Sequence, residues 1–290
     1  MVLVEIVRYL TFCSVMGNIF TIMKTKHKPN PEEFFSTTPV FTLQSFADHY
    51  GKSRLSDASN ILKYHRRKGR IVNISRTIYA VVPYGTNAEV FEPDRYLVAA
   101  AARDNGIFCY HAALELLGFS HSIWKDCTVF SAKSSESSNM RNSTIRFLGT
   151  PSPLKACPDI GTNTIIRKNV NLLVTGRERT LIEGFRKPYH SGGLEELVVS
   201  ASGFGVMDLD LLMRVLEVYN QKNLWAAVGW FLNQNMEQFG ITSSYLNIFE
   251  QKKPVSPQYL PGTYGNGSLD KRWNIILPDN LPGKFEGHAT

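Results

Sequence analysis

The chain has 290 residues, of which 43% are hydrophobic, 11% aromatic and 20% charged. That length accommodates about two domains, and the composition is ordinary for a globular chain, which excludes a largely disordered or fibrous protein. The net charge of +7, from 32 Lys and Arg against 25 Asp and Glu, implies a polyanionic partner only where the cations cluster. They cluster over residues 63–70, where Lys63, Arg66, Arg67, Lys68 and Arg70 stand without an acid. A weaker group, Arg177, Arg179, Arg186 and Lys187, is diluted by Glu178 and Glu183.

Residues 1–23 form an apolar leading segment, interrupted by Glu5, Arg8 and Asn18. It lacks a cationic start and a small-residue cleavage site, so a signal peptide or membrane anchor is not expected. It reads either as a leading helix facing the core or a partner, or as an extension upstream of a start at Met23. The cysteines Cys13, Cys109, Cys127 and Cys157 are scattered, with no C-x-x-C pair. That pattern suits free thiols in a cytoplasmic protein rather than a zinc site.

Residues 24–83 read as a winged helix-turn-helix. Residues 32–35 suggest a short helix and 38–41 a break. Thr42 can cap a helix over 43–50 that Gly51 stops; Ser53 opens the next helix and Gly69 closes it. Residues 71–73 and 77–82 are β-rich, with Ser75 and Arg76 in the tight turn of a hairpin. A linker follows at 84–94. Residues 95–285 read as a mixed α/β domain. Its helices are expected over 96–105, 111–117, 179–184, 192–200, 209–219 and 224–235. Strands are expected over 128–131 and 144–148, a strand pair over 164–174 and, in a Pro/Gly-rich tail, one strand over 273–277. The expected fold class is α+β: an N-terminal winged helix-turn-helix followed by a mixed α/β C-terminal domain.

On a helical wheel Leu55, Ala58, Ile61, Leu62 and His65 share one side of the helix opened by Ser53. Ser56, Asn60, Lys63 and Arg67 share the other, flanked by Ser59 and Tyr64. Asn pairs in a bidentate way with adenine and Arg with guanine, and recognition helices use their N-terminal residues for base edges. Ser56 and Asn60 are therefore the expected base readers. Lys63, Arg66, Arg67 and Lys68 are expected on phosphate, and Ser53, Arg54 and Tyr64 complete the DNA-binding face. Arg76, at the wing tip, suits the backbone or a narrow minor groove. A solvated helix also carries such residues outward; the order of elements around this one favours double-stranded DNA.

Five segments carry a family resemblance. Phe41-Thr42-Leu43, Arg70-Ile71-Val72 and Thr77-Ile78-Tyr79-Ala80 lie in the first module. Arg177-Glu178-Arg179-Thr180-Leu181-Ile182-Glu183 resembles an "ERTLLD" signature, with Glu183 where Asp is usual. Lys271-Arg272-Trp273-Asn274-Ile275-Ile276-Leu277-Pro278 resembles a closing "RWNL-x-x-P" pattern. In this order, from about residue 30 to residue 282, the chain resembles the AbiEi-type antitoxins of type IV toxin–antitoxin systems. The resemblance implies a regulator that represses its own operon at inverted repeats. It also implies a C-terminal domain that counters a nucleotidyltransferase-like toxin, directly or indirectly. Read on residues alone, Thr180 caps a helix with Glu183 at the box position. Trp273 is core within a strand, and Tyr245, Phe249 and Tyr259 are packing residues.

No enzyme and no cofactor is expected. Pro158-Asp159 could open a P-D…(D/E)-x-K nuclease site, but residues 164–168 add no acid and 183–187 are not E-x-K. There is no G-x-S-x-G elbow and no P-loop. His111 reads as a packed or capping residue, with no paired His–carboxylate cluster that would suggest zinc. The alternative reading is a winged-helix protein that binds protein rather than specific DNA, with Leu211, Leu212, Val215, Val218 and Tyr219 as a candidate partner stripe.

Overall fold

A computed structural model describes residues 30–51, 54–132, 137–260, 265–279 and 281. The apolar segment with Cys13 and Met23, the first residues of the N-terminal module, Ser53, part of the polar loop before Asn142, and the last residues of the C-terminal domain lie outside the described residues.

Helix α1 (Pro31–Thr37) is capped by Asn30, whose side chain accepts from the Glu32 amide, and carries Glu32 and Glu33 in its first turn, both suited to a helix N-terminus. Strand β1 (Val40–Thr42) follows where a break was expected. Helix α2 (Leu43–His49) opens with a capping box between Thr42 and Ser45, and Gly51 stops it at φ +59°. Helix α3 (Leu55–Arg67) is closed by Gly69 at φ +67°. Strands β2 (Ile71–Asn73) and β3 (Ile78–Val81) form the hairpin. The sheet runs β1-β3-β2, all antiparallel, with Val40 opposite Ala80 and Thr42 opposite Ile78. Three residues leave too short an alternation to read as a strand; pairing with β3 makes β1 one.

The two faces of this sheet have different partners. Phe41, Ile71 and Tyr79 join Phe34, Phe35, Phe46 and Leu62 in the core beneath α1–α3. Val40, Ile78 and Ala80 pack instead with Tyr96, Leu97, Val98 and Ala99. Those residues belong to α4 (Arg95–Ala102), capped by Asp94. Residues 84–94 thus connect two bodies that share an apolar core.

The second body is built on a six-stranded sheet in the order β6 (Ser138–Asn139), β7 (Thr144–Gly149), β5 (Asp126–Ser131), β4 (Ile107–Phe108), β9 (Val170–Thr175), β8 (Thr162–Arg167). β5 runs parallel to β7 and β4 parallel to β9; the other neighbours are antiparallel. Lys168 and Asn169, at φ +46° and +65°, turn β8 into β9, the backbone that suits right-twisted hairpins. Among the described residues seven α-helices follow the strands or lie between them: α5 (His111–Leu116), α6 (Arg177–Arg186), α7 (Leu194–Ser202), α8 (Leu209–Tyr219), α9 (Lys222–Gln234), α10 (Met236–Phe239) and α11 (Ser243–Lys252). They form the largest core with Trp230, Trp273 and Phe249. A three-stranded sheet, β10 (Gln258–Tyr259), β12 (Ile275–Pro278), β11 (Gly267–Asp270), closes the chain. Among the described residues no helix is long and apolar enough to cross a membrane.

Several expectations change. Trp273 is fully buried but sits in the turn before β12, with its amide held by Asp270. Tyr245 and Tyr259 are exposed, and only Phe249 of that trio is core. Thr180 is not a cap: α6 begins at Arg177 with Gly176 at the N-cap, so Thr180 lies inside the helix and donates to the Thr175 carbonyl at 3.0 Å. Glu183, fully buried, accepts from Arg179 Nε at 2.9 Å and from the Tyr219 hydroxyl at 2.8 Å. His111 does belong to a histidine–carboxylate group, with Nδ1 3.2 Å from Glu115 and Nε2 3.3 Å from Glu196. Glu196 arrives from α7, so no local spacing announces it.

Candidate nucleic-acid interface

Helix α3 follows from its sequence. It has a carboxylate, Asp57, in the first turn and His65, Arg66 and Arg67 in the last, the order the helix dipole favours. Ala58, Leu62 and His65 turn inward. The His65 ring meets Phe35 edge-on at 4.9 Å, and burial, then the charge of Arg70, lowers its pKa. It is therefore a neutral core residue. Leu55, placed on the packed side by its spacing, is 45% exposed.

The opposite side carries Ser56, Asn60, Lys63 and Arg67, all exposed. At about 1.5 Å per residue the stripe runs about 16 Å along the helix. Lys63 Nζ donates to Asn60 Oδ1 at 3.4 Å, a contact weak enough for either group to exchange for a base or a phosphate. Arg54, at the N-cap position, and Tyr64, Arg66 and Lys68 are exposed around it, as is Arg76 in the turn between β2 and β3. Ser53 lies outside the described residues. Arg70, counted with the basic stretch, is paired with Glu32 of α1, so its charge is partly answered within the module.

Asp57 was missed. It is exposed beside this face, three residues before Asn60. A carboxylate there can accept from the cytosine amino group but repels phosphate. Its signal in the sequence was masked by its suitability for a helix N-terminus. Elsewhere, Pro158 of the nuclease-like Pro-Asp pair has its carbonyl bound by Arg179 Nη1 at 2.5 Å. Among the described residues no group of three or more His, Cys, Asp or Glu is arranged to hold a metal ion.

No family model and no curated protein matches the chain. Among solved structures, the crystal structure of the RV2827C protein from Mycobacterium tuberculosis is similar, with a TM-score of 0.55 and 16% sequence identity over 82% of this chain and 85% of that one. At that identity the likeness is one of fold. It agrees with the α+β class expected from the sequence.

Proposed function

We propose that this protein is a DNA-binding transcriptional regulator of the AbiEi antitoxin type. In this reading α2 and α3 are the helix-turn-helix and the β2–β3 hairpin is the wing. The observation that carries it is the exposed stripe Ser56, Asn60, Lys63 and Arg67, on a helix that follows a capped short helix and precedes an antiparallel hairpin. Ser56 and Asn60 read base edges in the major groove; Lys63, Arg66, Arg67, Lys68 and Arg54 hold phosphates beside Tyr64; Arg76 meets the backbone or minor groove. The partner is double-stranded DNA, with inverted repeats upstream of its own operon. The second domain counters a nucleotidyltransferase-like toxin, by contact or indirectly. The protein works in the cytoplasm without a cofactor.

The test is a titration against the DNA immediately upstream of the gene at two salt concentrations. It compares wild type with a Lys63→Ala/Arg67→Ala variant. The wild type is expected to bind in a salt-dependent way, and the variant to lose about two units of salt slope. A folded wild type that does not bind, or binds without salt dependence, overturns the reading in favour of a protein-interaction module.

A further inference from the structure

Between β1 and the second body lies a cleft of about 790 Å³. One wall is Val40, Phe41, Thr42 and Ser45 of the first module. The other is Leu97, Ala100 and Ala101 of α4 with residues 170–173 of β9. The cleft follows from the shortness of β4. Its two residues reach only Leu173 and Val174 of β9, and the Gly106 amide just before it turns back to the Arg103 carbonyl at 3.3 Å. Residues 170–172 therefore run on past β4 with no strand paired to them on that side.

The walls are apolar and close to neutral. Val40, Phe41, Leu97, Phe108 and Leu172 are all buried. The two charged residues of the lining, Arg103 and Asp104, are neighbours of opposite sign. Arg103 is already engaged, with Nη1 on the Ala102 carbonyl at 2.7 Å and its guanidinium 4.5 Å from the centre of the Phe147 ring. The directional groups come from the main chain. β1 is the edge of its sheet. The Pro39 carbonyl accepts from the Val81 amide and the Leu43 amide donates to the Thr77 carbonyl, both at 2.8 Å. Residues 39, 41 and 43 thus turn their main chain to β3, and Val40, which lines the cleft, turns its N–H and C=O away from it. The bond from the Gly176 amide to the Gly161 carbonyl, 2.7 Å, sets the same alternation along β9, so Asn171 turns its main chain to the side that β4 leaves open. A donor and an acceptor side by side on one extended residue match the C=O and N–H of another.

We propose that this cleft binds a neutral, apolar ligand carrying an extended amino-acid unit, and that the ligand regulates DNA binding. The unit comes from a small N-acylated amino-acid amide or from an extended stretch of apolar peptide. It pairs with the Val40 N–H and C=O, and its apolar groups lie against Leu97, Ala100 and Leu172. The volume suits a ligand of that size. The link to α3 is short. Thr42 and Ser45, in the cleft wall, form the capping box of α2, and β1 is paired with β3 of the hairpin. A ligand that favours one placement of β1 over another shifts the module that carries α3. The regulatory half rests on the reading of α3 as the DNA contact; the binding half does not.

The experiment records amide NMR spectra of the full chain with N-acetylleucine methylamide, N-acetylproline methylamide and the capped peptide acetyl-Val-Thr-Val-Thr-Val-amide. The leucine compound is expected to shift the amides of Val40, Ala101 and Leu172 at millimolar concentration and to leave those of α9 unmoved. The proline compound, which lacks the matching N–H, should bind about five- to tenfold more weakly. A peptide that binds tighter than the leucine compound identifies an extended strand as the ligand, and equal affinity a single amino-acid unit. Ala101→Phe and, from β8, Thr164→Phe each fill the cleft and should abolish the shifts while the spectrum stays folded. In the second arm, the saturating probe is expected to change the affinity for the duplex upstream of the gene by about fivefold or more. Unmoved Val40 and Leu172 amides with both the leucine compound and the peptide at about 10 mM overturn the site, since even a weak fragment binds in that range. Folded Ala101→Phe and Thr164→Phe proteins that both bind like wild type overturn it as well. Probe binding with unchanged DNA affinity overturns the regulation. A protein that binds the probe but no DNA overturns the reading of α3 and leaves the cleft standing.

Discussion

Gly229, in the middle of α9, is the seat of Trp273. A Cβ at position 229 would overlap three atoms of the indole ring, Cε3, Cζ3 and Cη2. Both residues are buried. A glycine inside a helix costs up to about 1 kcal/mol relative to alanine, so the helix gives up propensity to let the ring approach. Gly229→Ala is expected to destabilise by about 1–3 kcal/mol through overpacking, despite its better helix propensity. Trp273→Leu in the same background should recover part of that loss. Urea unfolding of the four proteins of this cycle checks it. A Gly229→Ala protein as stable as wild type would mean that the ring moves freely.

Arg179 and Glu183 form a second buried pair, both inaccessible to solvent, one turn apart on α6. Arg179 also donates to the carbonyls of Pro158 and Ile160, so it ties α6 to the loop before β8. Removing one partner strands the other charge in the interior. Glu183→Leu is expected to cost about 3–5 kcal/mol, and the double change Arg179→Met/Glu183→Leu less than the sum of the single changes. Denaturant midpoints at constant slope measure both.

How much of this could be read from the chain depends on the range of the interaction. Thr42, Gly51 and Gly69 act on their own helices, so both ends of α2 and the C-terminal end of α3 were legible, whereas α3 opens at Leu55 with Arg54 at the N-cap rather than at Ser53; the 3.6-residue spacing set out the exposed stripe of α3. The hairpins were legible for the same reason. β1 was not, because three residues show no periodicity until Ala80 and Ile78 pair with them. The Arg70–Glu32 and His111–Glu196 pairs join residues far apart in sequence, and nothing in their local spacing foretells them. The docking of Val40, Ile78 and Ala80 on α4 was equally hidden, since strand residues facing a second body look like strand residues facing their own core.

Acid should destabilise the protein in two windows. The folded pKa of His190, about 4, lies below its ordinary 6.5, so between those values the unfolded chain binds more protons and stability rises with pH. That contribution is lost as pH falls from 6.5 towards 4. Burial alone would raise the pKa of Glu115, but hydrogen bonds from His111, Tyr96, the Trp124 amide and Arg95 hold it at about 2. Its contribution is present above its ordinary 4.5 and is lost as pH falls towards 2. Unfolding followed from pH 7 down to 3 should show the first loss in wild type and a flatter profile for His190→Gln between 4 and 6.5. An unchanged profile for that variant would remove His190 from the account.

The shared core at α4 predicts a single unfolding unit. Leu97 is 2% exposed and packs in the cluster that also holds Val40, Ile78 and Ala80. Leu97→Ala is expected to cost about 2–5 kcal/mol. It should lower the unfolding transition of both bodies together, followed by the separate signals of Trp273 in the second and of backbone amides in the first. If only one signal moved, residues 84–94 would be a true tether and the two bodies would unfold independently.

On α3 the stripe divides into positions that should behave differently. Asn60→Ala is expected to cost about 1–3 kcal/mol against the preferred sequence and to relax the preference at one base pair, because a bidentate amide contact carries sequence information. Arg67→Ala should weaken all sequences by similar factors and flatten the salt slope by about one unit. Asp57→Asn should tighten binding to random duplex DNA, since it removes a carboxylate from beside the exposed basic residues of α3. If Asp57 instead accepts from a cytosine, the same change weakens binding to the preferred sequence alone. Anisotropy titrations of the three variants against preferred and scrambled duplexes separate these outcomes. The stripe assignment would fail if Asn60→Ala and Arg67→Ala gave the same pattern on both DNAs. Identical losses would mean that neither side chain reaches a base edge and that α3 contributes charge alone.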